Sequence, residues 1–210
     1  MKLLIYVNLS IILVTQTVIA NPAAAVQFYH PANPDAAKRL TLLANQGDAE
    51  AQNRLGIMYA NGQNVKRDSA QAVAWFRKSA AQGNANGQYD LGVMYQTGQG
   101  VARDNSQAVS WIRKAAAQRH ALALNNLGWL YAHGQGVPYQ PVVAYALYSI
   151  SADADAVNGV YAIKNRAVLV KFMRNREIDA AQRLTHAMQV PGHLLTAMDI
   201  YLASHAPIAP

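Results

Sequence analysis

The sequence contains no cysteine. It therefore excludes disulfide bonds, zinc sites built on thiolates, and attachment of a lipid to a cysteine thiol. Charged residues are also scarce, at 14% against 52% hydrophobic residues. A chain of 210 residues with this composition predicts one domain of ordinary size with a continuous hydrophobic core.

Groups of residues typical of catalysis or metal binding are also missing. The histidines form no helical H-x-x-x-H pair, and the Gly-Gln-Gly stretches are followed by no Lys-Ser or Lys-Thr and preceded by no predicted strand, so they are not phosphate-binding loops. The acidic residues are scattered, and most fit helix caps or exposed faces. We predict a protein that is not an enzyme, with no catalytic residue, no metal site and no cofactor. The histidines are His30, His120, His133, His186, His193 and His205.

The amino terminus predicts export. Residues 1–20 combine Lys2, an apolar run and the small-residue exit Val18-Ile19-Ala20, as in a secretory signal peptide. The alternative is an uncleaved anchor, although the run is short and interrupted for a stable membrane span. Without residues 1–20 the chain keeps 17 basic and 11 acidic residues, a formal charge of +6. We expect a periplasmic or secreted protein with no nucleic-acid partner. Its basic surface either favours anionic proteins, polysaccharide or lipid head groups, or is that of a soluble protein of ordinary charge.

One pattern, Leu-Gly-x-x-Tyr-x-x-Gly-Gln-x-Val, occurs three times at a step of 36 residues. Its copies begin at Leu55, Leu91 and Leu127. The same step separates Trp75 from Trp111, and small residues recur with it. A period of this length predicts stacked supersecondary units, each of which buries its apolar face only against its neighbours.

Each repeat is predicted to contain two helices. In the first copy Asp48 caps a helix over residues 49–61, which Gly62 ends because it tolerates a left-handed conformation. Asp68 then caps a second helix that carries Trp75. Gly56, in the middle of the first helix, costs about 1 kcal/mol relative to Ala, and its recurrence indicates close helix packing.

The predicted organisation is a signal peptide at 1–20, a linker at 21–32, a helical solenoid at 33–190 and a tail at 191–210. Within the solenoid we expect a half repeat at 33–47, full repeats at 48–83, 84–119 and 120–155, and degenerate capping helices at 156–190. This last, degenerate pair comprises helices from Ala154 to about Met173 and from Arg176 to Met188. A short helix over residues 194–204 is expected in the tail.

These motifs resemble the Sel-one-like repeat (SLR), a relative of the tetratricopeptide repeat. The resemblance covers residues 36–153 well and 154–190 weakly. It implies an all-α fold, a right-handed superhelix of antiparallel helix pairs whose concave side is lined by the first helix of each pair. It also implies a role in assembling or regulating other proteins, often as an adaptor in envelope complexes, secretion, host contact or signalling.

The resemblance further implies where a partner protein or extended peptide binds. The groove positions of tetratricopeptide relatives lie two residues before the repeat Leu and two and five residues after it. The spacing places them on one helix face. Here they are Asn53, Ile57 and Ala60, then Tyr89, Val93 and Gln96, then Asn125, Trp129 and Ala132.

We expect the asparagines to hydrogen-bond a peptide backbone, and Tyr89 and Trp129 to serve as aromatic anchors. The alternatives are that Trp129 packs as core and that Asn53 and Asn125 are solvated.

Two other functions stay open at this point. Exposed tyrosines in the third repeat (Tyr139, Tyr145 and Tyr148) together with the positive charge suggest a module that binds a cell-wall or surface polymer. A more remote alternative is a β-lactamase-like hydrolase, because some exported relatives have been described as β-lactamases. Those relatives carry disulfides, and this chain has neither cysteine nor a Ser-x-x-Lys motif.

Overall fold

The computed structural model describes residues 34–155 and 159–205, and ten α-helices and no strand occur in them. The predicted signal peptide and linker lie outside the described residues. The helices are α1 Pro34–Asn45, α2 Ala49–Asn61, α3 Ser69–Ala81, α4 Ala85–Thr97, α5 Asn105–Ala117, α6 Ala121–His133, α7 Pro141–Ala154, α8 Gly159–Val170, α9 Asn175–Gln189 and α10 Leu194–Ser204.

The chain forms two compact units that divide between Asp104 and Asn105. In the N-terminal unit, α1 packs on α2, α2 on α3, and α3 on α4. In the C-terminal unit, α5 packs on α6, α6 on α7, and α7 on both α8 and α9. Helices adjacent in sequence are therefore mostly adjacent in space, as expected for a chain of helix pairs.

The predicted caps and turn glycines are present. The Asp48 carboxylate accepts a hydrogen bond from the Ala51 backbone N–H at 2.6 Å and starts α2. Gly62 ends α2 with φ 72° and donates its N–H to the carbonyl of Met58. Asn64, at the position occupied by glycine in the later repeats, also takes the left-handed conformation, with φ 57°. Local sequence therefore determines where these helices start and stop.

The third repeat reaches the same cap geometry with different residues. His120 replaces the capping Asn84, and its Nδ1 accepts from the Ala123 N–H at 3.2 Å. Burial lowers the pKa of His120 to about 4, even though the Asp155 carboxylate acts to raise it. Arg119, in the place of Gly83, has φ 61°. His120 therefore caps α6 as a neutral imidazole, since only an unprotonated Nδ1 can accept a hydrogen bond.

The recurring glycine in the first helix permits a close approach of the second helix. A Cβ at Gly56 would lie 2.6 Å from the ring of Phe76 in α3. A Cβ at Gly128 would lie 2.9 Å from the ring of Tyr148 in α7. Both distances are shorter than normal carbon contacts, so each glycine is required by the packing of its pair.

The repeat leucines form the centre of the core. Leu55 is 1% exposed, Leu91 1% and Leu127 0%. The small residues at the same step in the second helices, Ala72 and Ala144, are also fully buried. The register of 36 residues thus carries the same burial pattern through three repeats.

The helices that follow α7 depart from this pattern. The helix expected from Ala154 begins at Gly159, and the one expected from Arg176 begins at Asn175. Instead of forming a tight pair with α8, helix α9 lies against α7 and α10. The expected short helix, α10, is present, and its Leu194 and Met198 are buried.

Candidate partner-binding surface

The predicted groove residues divide by exposure. Four of them are buried, namely Asn53, Tyr89, Val93 and Asn125. The others, Ile57, Gln96 and Trp129 with Ala60 and Ala132, are half-buried and reach the surface. In the N-terminal unit α2 and α4 lie against each other, which brings their predicted positions together. In the C-terminal unit α6 lies against α8.

A polar contact joins the first helices of the N-terminal unit. Asn53 Nδ2 in α2 donates to Asp90 Oδ2 in α4 at 2.7 Å. Burial raises the pKa of Asp90 to about 7. The hydrogen bond from Asn53 acts to lower this pKa, and the charge of Glu50 acts to raise it further. Asp90, which lies one residue after the predicted Tyr89, was not predicted from the sequence. The signal in the sequence was that Asp90 is the single acidic residue of α4.

A second carboxylate lies close to this contact. Glu50 accepts hydrogen bonds from Arg54 Nε at 3.0 Å, from Asn84 Nδ2 at 3.2 Å and from Asn86 Nδ2 at 3.4 Å. Burial acts to raise the pKa of Glu50, but these hydrogen bonds and the Arg54 charge together lower it. Glu50 is therefore ionised at neutral pH, and its charge makes ionisation of Asp90 harder.

Tyr89 takes the position of Asn53 in the second repeat. The residue is 8% exposed. Burial raises the pKa of its hydroxyl, and the charge of Asp90 adds to this effect. Tyr89 is therefore largely enclosed by the fold, and little of it is accessible to a partner.

The C-terminal unit contains a neutral version of the amide contact. Asn165 Nδ2 in α8 donates to Asn125 Oδ1 in α6 at 3.0 Å. One step of 36 residues places Asn165 at the position of Trp129. Both predicted asparagines are thus engaged with the next first helix of their own unit.

Trp129 is the most accessible aromatic residue among the predicted positions. Its ring stacks on His133 one helical turn later, with centroids 4.3 Å apart and planes at 22°. His133 Nδ1 lies 2.8 Å from the Trp129 carbonyl oxygen, as expected for a side chain near a helix end. Among the described residues, His133 Nε2 is buried without a hydrogen-bond partner. The indole of Trp129 is half-buried and reaches the surface, whereas His133 Nε2 is enclosed by protein.

The tyrosines proposed for polymer binding differ in accessibility. Tyr139 is 56% exposed, whereas Tyr148 is 2% exposed and packs on Gly128. Tyr145 is half-buried, with the guanidinium of Arg166 5.6 Å from its ring centre. One of the three tyrosines is therefore freely accessible.

Within residues 34–155 and 159–205, no three histidine or acidic side chains are grouped closely enough to hold a metal ion. No helix in the same residues has the length and apolar character needed to cross a membrane.

Comparison with known proteins decides the family. The model of the Sel1 repeat matches residues 49–84, 85–120 and 121–155. The chain belongs to the Sel1 repeat family. The predicted family is confirmed.

Solved structures agree with this assignment. A Sel1 repeat protein from Oxalobacter formigenes is 32% identical, with a TM-score of 0.55 over 62% of this chain and 96% of that protein. A protective antigen of uropathogenic Escherichia coli with an SLR fold is 23% identical, with a TM-score of 0.56 over 96% of this chain and 49% of that protein. No curated protein matches the chain. The predicted all-α solenoid fold is confirmed. Sel1 repeats generally act as scaffolds for protein–protein interaction and are typically non-catalytic.

Proposed function

We propose that this Sel1 repeat protein is an exported, non-catalytic adaptor that binds another protein, or an extended peptide, on the first helices of its repeats. The half-buried Trp129, which reaches the surface of a first helix and stacks on His133, is the observation that supports this most directly. Indole rings are enriched among the residues that dominate binding energy at protein interfaces.

In this proposal the predicted groove residues have two roles. Ile57 and Gln96 reach the surface of the N-terminal unit, and Trp129 reaches the surface of the C-terminal unit. In this proposal each of them contacts a partner on its own unit. Asn53 and Asn125 hold neighbouring first helices in register through their hydrogen bonds to Asp90 and Asn165. A fixed spacing between first helices lowers the ordering cost of binding.

A matched pair of tryptophan variants tests this proposal. Trp129 lies on a first helix, and Trp111, also half-buried, lies on a second helix of the same unit with the Lys114 ammonium 3.9 Å from its ring centre. Trp129→Ala should abolish capture of specific partners from an envelope extract, and Trp111→Ala should retain them. The surface is misassigned if folded Trp129→Ala protein keeps every partner that the parent protein captures.

Export needs a separate test, because residues 1–20 lie outside the described residues. We propose a periplasmic or secreted location on the basis of Lys2, the apolar run and the small-residue exit. Fusion of residues 1–25 to a phosphatase that is active only outside the cytoplasm should give enzyme activity. Loss of that activity on replacing two central leucines with arginine would confirm the segment as the export signal, and an inactive parent fusion would contradict it.

Cell-wall contact is the second candidate, and the exposed Tyr139 favours it. Sedimentation with purified peptidoglycan at rising salt tests it, because a charge-led contact weakens as salt screens it. Tyr139→Ala should then reduce the bound fraction. The remaining hydrolase alternative is tested with a chromogenic β-lactam, for which we expect no turnover.

A further inference from the structure

Helix α8 begins in the register of a first helix. Gly159 lies one step of 36 residues after Ala123 and two steps after Gly87. A Cβ at Gly159 would lie 2.7 Å from the Ala152 carbonyl oxygen, and one at Gly87 would lie 2.4 Å from Ser79 Oγ. Both glycines therefore permit the same close contact with the preceding second helix, and α8 packs on α6 and α7 as a first helix should.

The opposite face of α8 is open. Ile163 occupies the register of Leu127, and it is 48% exposed where Leu127 is fully buried. Val160 occupies the register of Leu124 and is 44% exposed where Leu124 is fully buried. In the earlier repeat these positions are covered by protein, so α8 presents an apolar face at positions that are buried in α6.

Lys164 gives the physical reason for this opening. It stands in the register of Gly56 and Gly128, where even a Cβ would overlap an aromatic ring of the second helix. A lysine side chain at this position prevents the close packing of first and second helix that the regular repeats show. Helix α9 accordingly packs on α7 and α10.

The charged residues of α8 and of the turn that follows it have one sign. Residues 159–176 contain five basic residues and no acidic residue. Arg166 donates to Ser149 Oγ at 3.0 Å, and Arg174 pairs with Glu177 at 2.7 Å. Lys164 and Lys171 are exposed. Lys164 lies one helical turn after Val160, and Ile163 and Ala167 lie on the same side of α8. Lys171 is the first residue after the end of α8.

We propose that this α8 stripe, composed of Val160, Ile163, Lys164, Ala167 and Lys171, binds an acidic amphipathic helix of a partner protein. Apolar residues of the partner cover Val160 and Ile163, and its carboxylates pair with the two lysines. A helix is the expected occupant because the corresponding positions of α6 are covered within a helix-pair repeat. A second copy of this chain, docked by the same stripe, would bring lysines together, and like charges across an interface are unfavourable.

This surface is distinct from the one assigned above. The three groove positions of the repeat correspond in α8 to Tyr161, Asn165 and Val168, none of which belongs to the stripe. The two surfaces can therefore be tested independently, and Trp129→Ala should leave binding at the α8 stripe unchanged.

A designed peptide supplies the probe. We would use a stapled helical peptide with leucines along one face and glutamates beside them, and a matched peptide with lysines in place of the glutamates. Fluorescence anisotropy with the whole protein should show binding of the glutamate peptide and weak or no binding of the lysine peptide. The variant Lys164→Glu/Lys171→Glu should reverse this preference, with affinity for the glutamate peptide falling about tenfold or more.

The control variant is Lys38→Glu/Lys66→Glu, which changes the net charge equally at two exposed lysines outside the stripe. It should change affinity by less than about twofold. Circular dichroism checks that both variants fold. Unchanged binding of the glutamate peptide to Lys164→Glu/Lys171→Glu would overturn the proposal. Failure of the parent protein to bind the glutamate peptide would also overturn the proposal. In that case, sedimentation of the protein with anionic phospholipid vesicles would assign the stripe to a membrane surface instead.

Discussion

Helices α6 and α8 lie in the same unit and follow the same 36-residue register, yet their outer faces differ. In α6 the Leu127-Gly128 pair is buried and Tyr148 of α7 packs directly on the glycine. In α8 the corresponding residues are Ile163 and Lys164, and both are exposed. The comparison indicates that the residue at the glycine position decides whether the second helix of a repeat can pack closely on the first.

The largest effect is expected from exchanging the residues at that position. Gly128→Lys places a long cationic side chain against the Tyr148 ring, and we expect a loss of about 4 kcal/mol or more in the free energy of unfolding. Lys164→Gly changes an exposed site and should cost about 1 kcal/mol through helix propensity alone. Urea denaturation followed by circular dichroism measures both. Equal stability of the two variants would contradict the role given to the glycine.

Truncation at the neighbouring position tests the difference in burial. Leu127→Ala removes a fully buried side chain and should cost about 2–5 kcal/mol. Ile163→Ala acts at a half-exposed site and should cost less than about 1 kcal/mol. Thermal unfolding of the two variants under the same conditions provides the measurement. A large loss for Ile163→Ala would mean that the α8 stripe is covered in the folded protein.

The amide contacts between first helices allow a comparison between units, because Asn53 meets a carboxyl group and Asn125 meets an amide. The pKa of Asp90 is raised to about 7, so the folded state keeps its proton while the unfolded state loses it near pH 4. The contribution of Asp90 to the free energy of unfolding therefore falls as pH rises from about 4 to about 7. Asp90→Asn should remove this dependence and add about 3 kcal/mol at pH 8.

Unfolding free energies of the parent protein and Asp90→Asn across that range give the test. Asn165→Asp serves as the converse variant, since it places a carboxyl group in the neutral contact and should introduce the same type of pH dependence. If the stability difference between Asp90→Asn and the parent protein is the same at pH 4 and pH 8, Asp90 ionises in the folded state at its ordinary pKa.

The smallest effect concerns the caps of the second and third repeats. His120 has its pKa lowered to about 4, so below about pH 6.5 the unfolded state binds a proton that the folded state excludes. The neutral His120 contributes its full stabilisation above about pH 6.5, and this stabilisation is lost as pH falls toward 4. His120→Asn copies the Asn84 cap, and the pH dependence in this window should decrease by about 2 kcal/mol. Equal slopes of stability against pH for the two proteins would contradict a neutral capping histidine.

Much of the fold could be predicted from the sequence because its signals are local. Asp48, Gly62 and the Leu55-Gly56 pair predicted the start, the end and the buried face of α2, and each acts within a few residues of itself. The packing of α9 could not be predicted in the same way. Lys164 at a glycine position was visible in the sequence, but the surface to which α9 would move depends on all the faces competing for it.

The candidate site was predicted in part. Repeat spacing placed the groove positions on first helices, and Trp129 does reach the surface there. Asp90 and Asn165 were not predicted as partners of the two asparagines, because such contacts depend on the offset between neighbouring helices. A shift of one residue along a helix axis moves a side chain by about 1.5 Å, enough to make or break a hydrogen bond.

The sequence by itself determined the helix pairs, their caps and the 36-residue register, since these follow from backbone preferences and from which side chains share a helix face. Only the tertiary structure decided that Asp90 loses water, that Asn53 and Asn125 bond to neighbouring helices and that the α8 stripe stays open. Burial depends on every element around a residue, and those elements are distant in sequence. The same register can therefore bury a leucine in one helix and leave an isoleucine open in another.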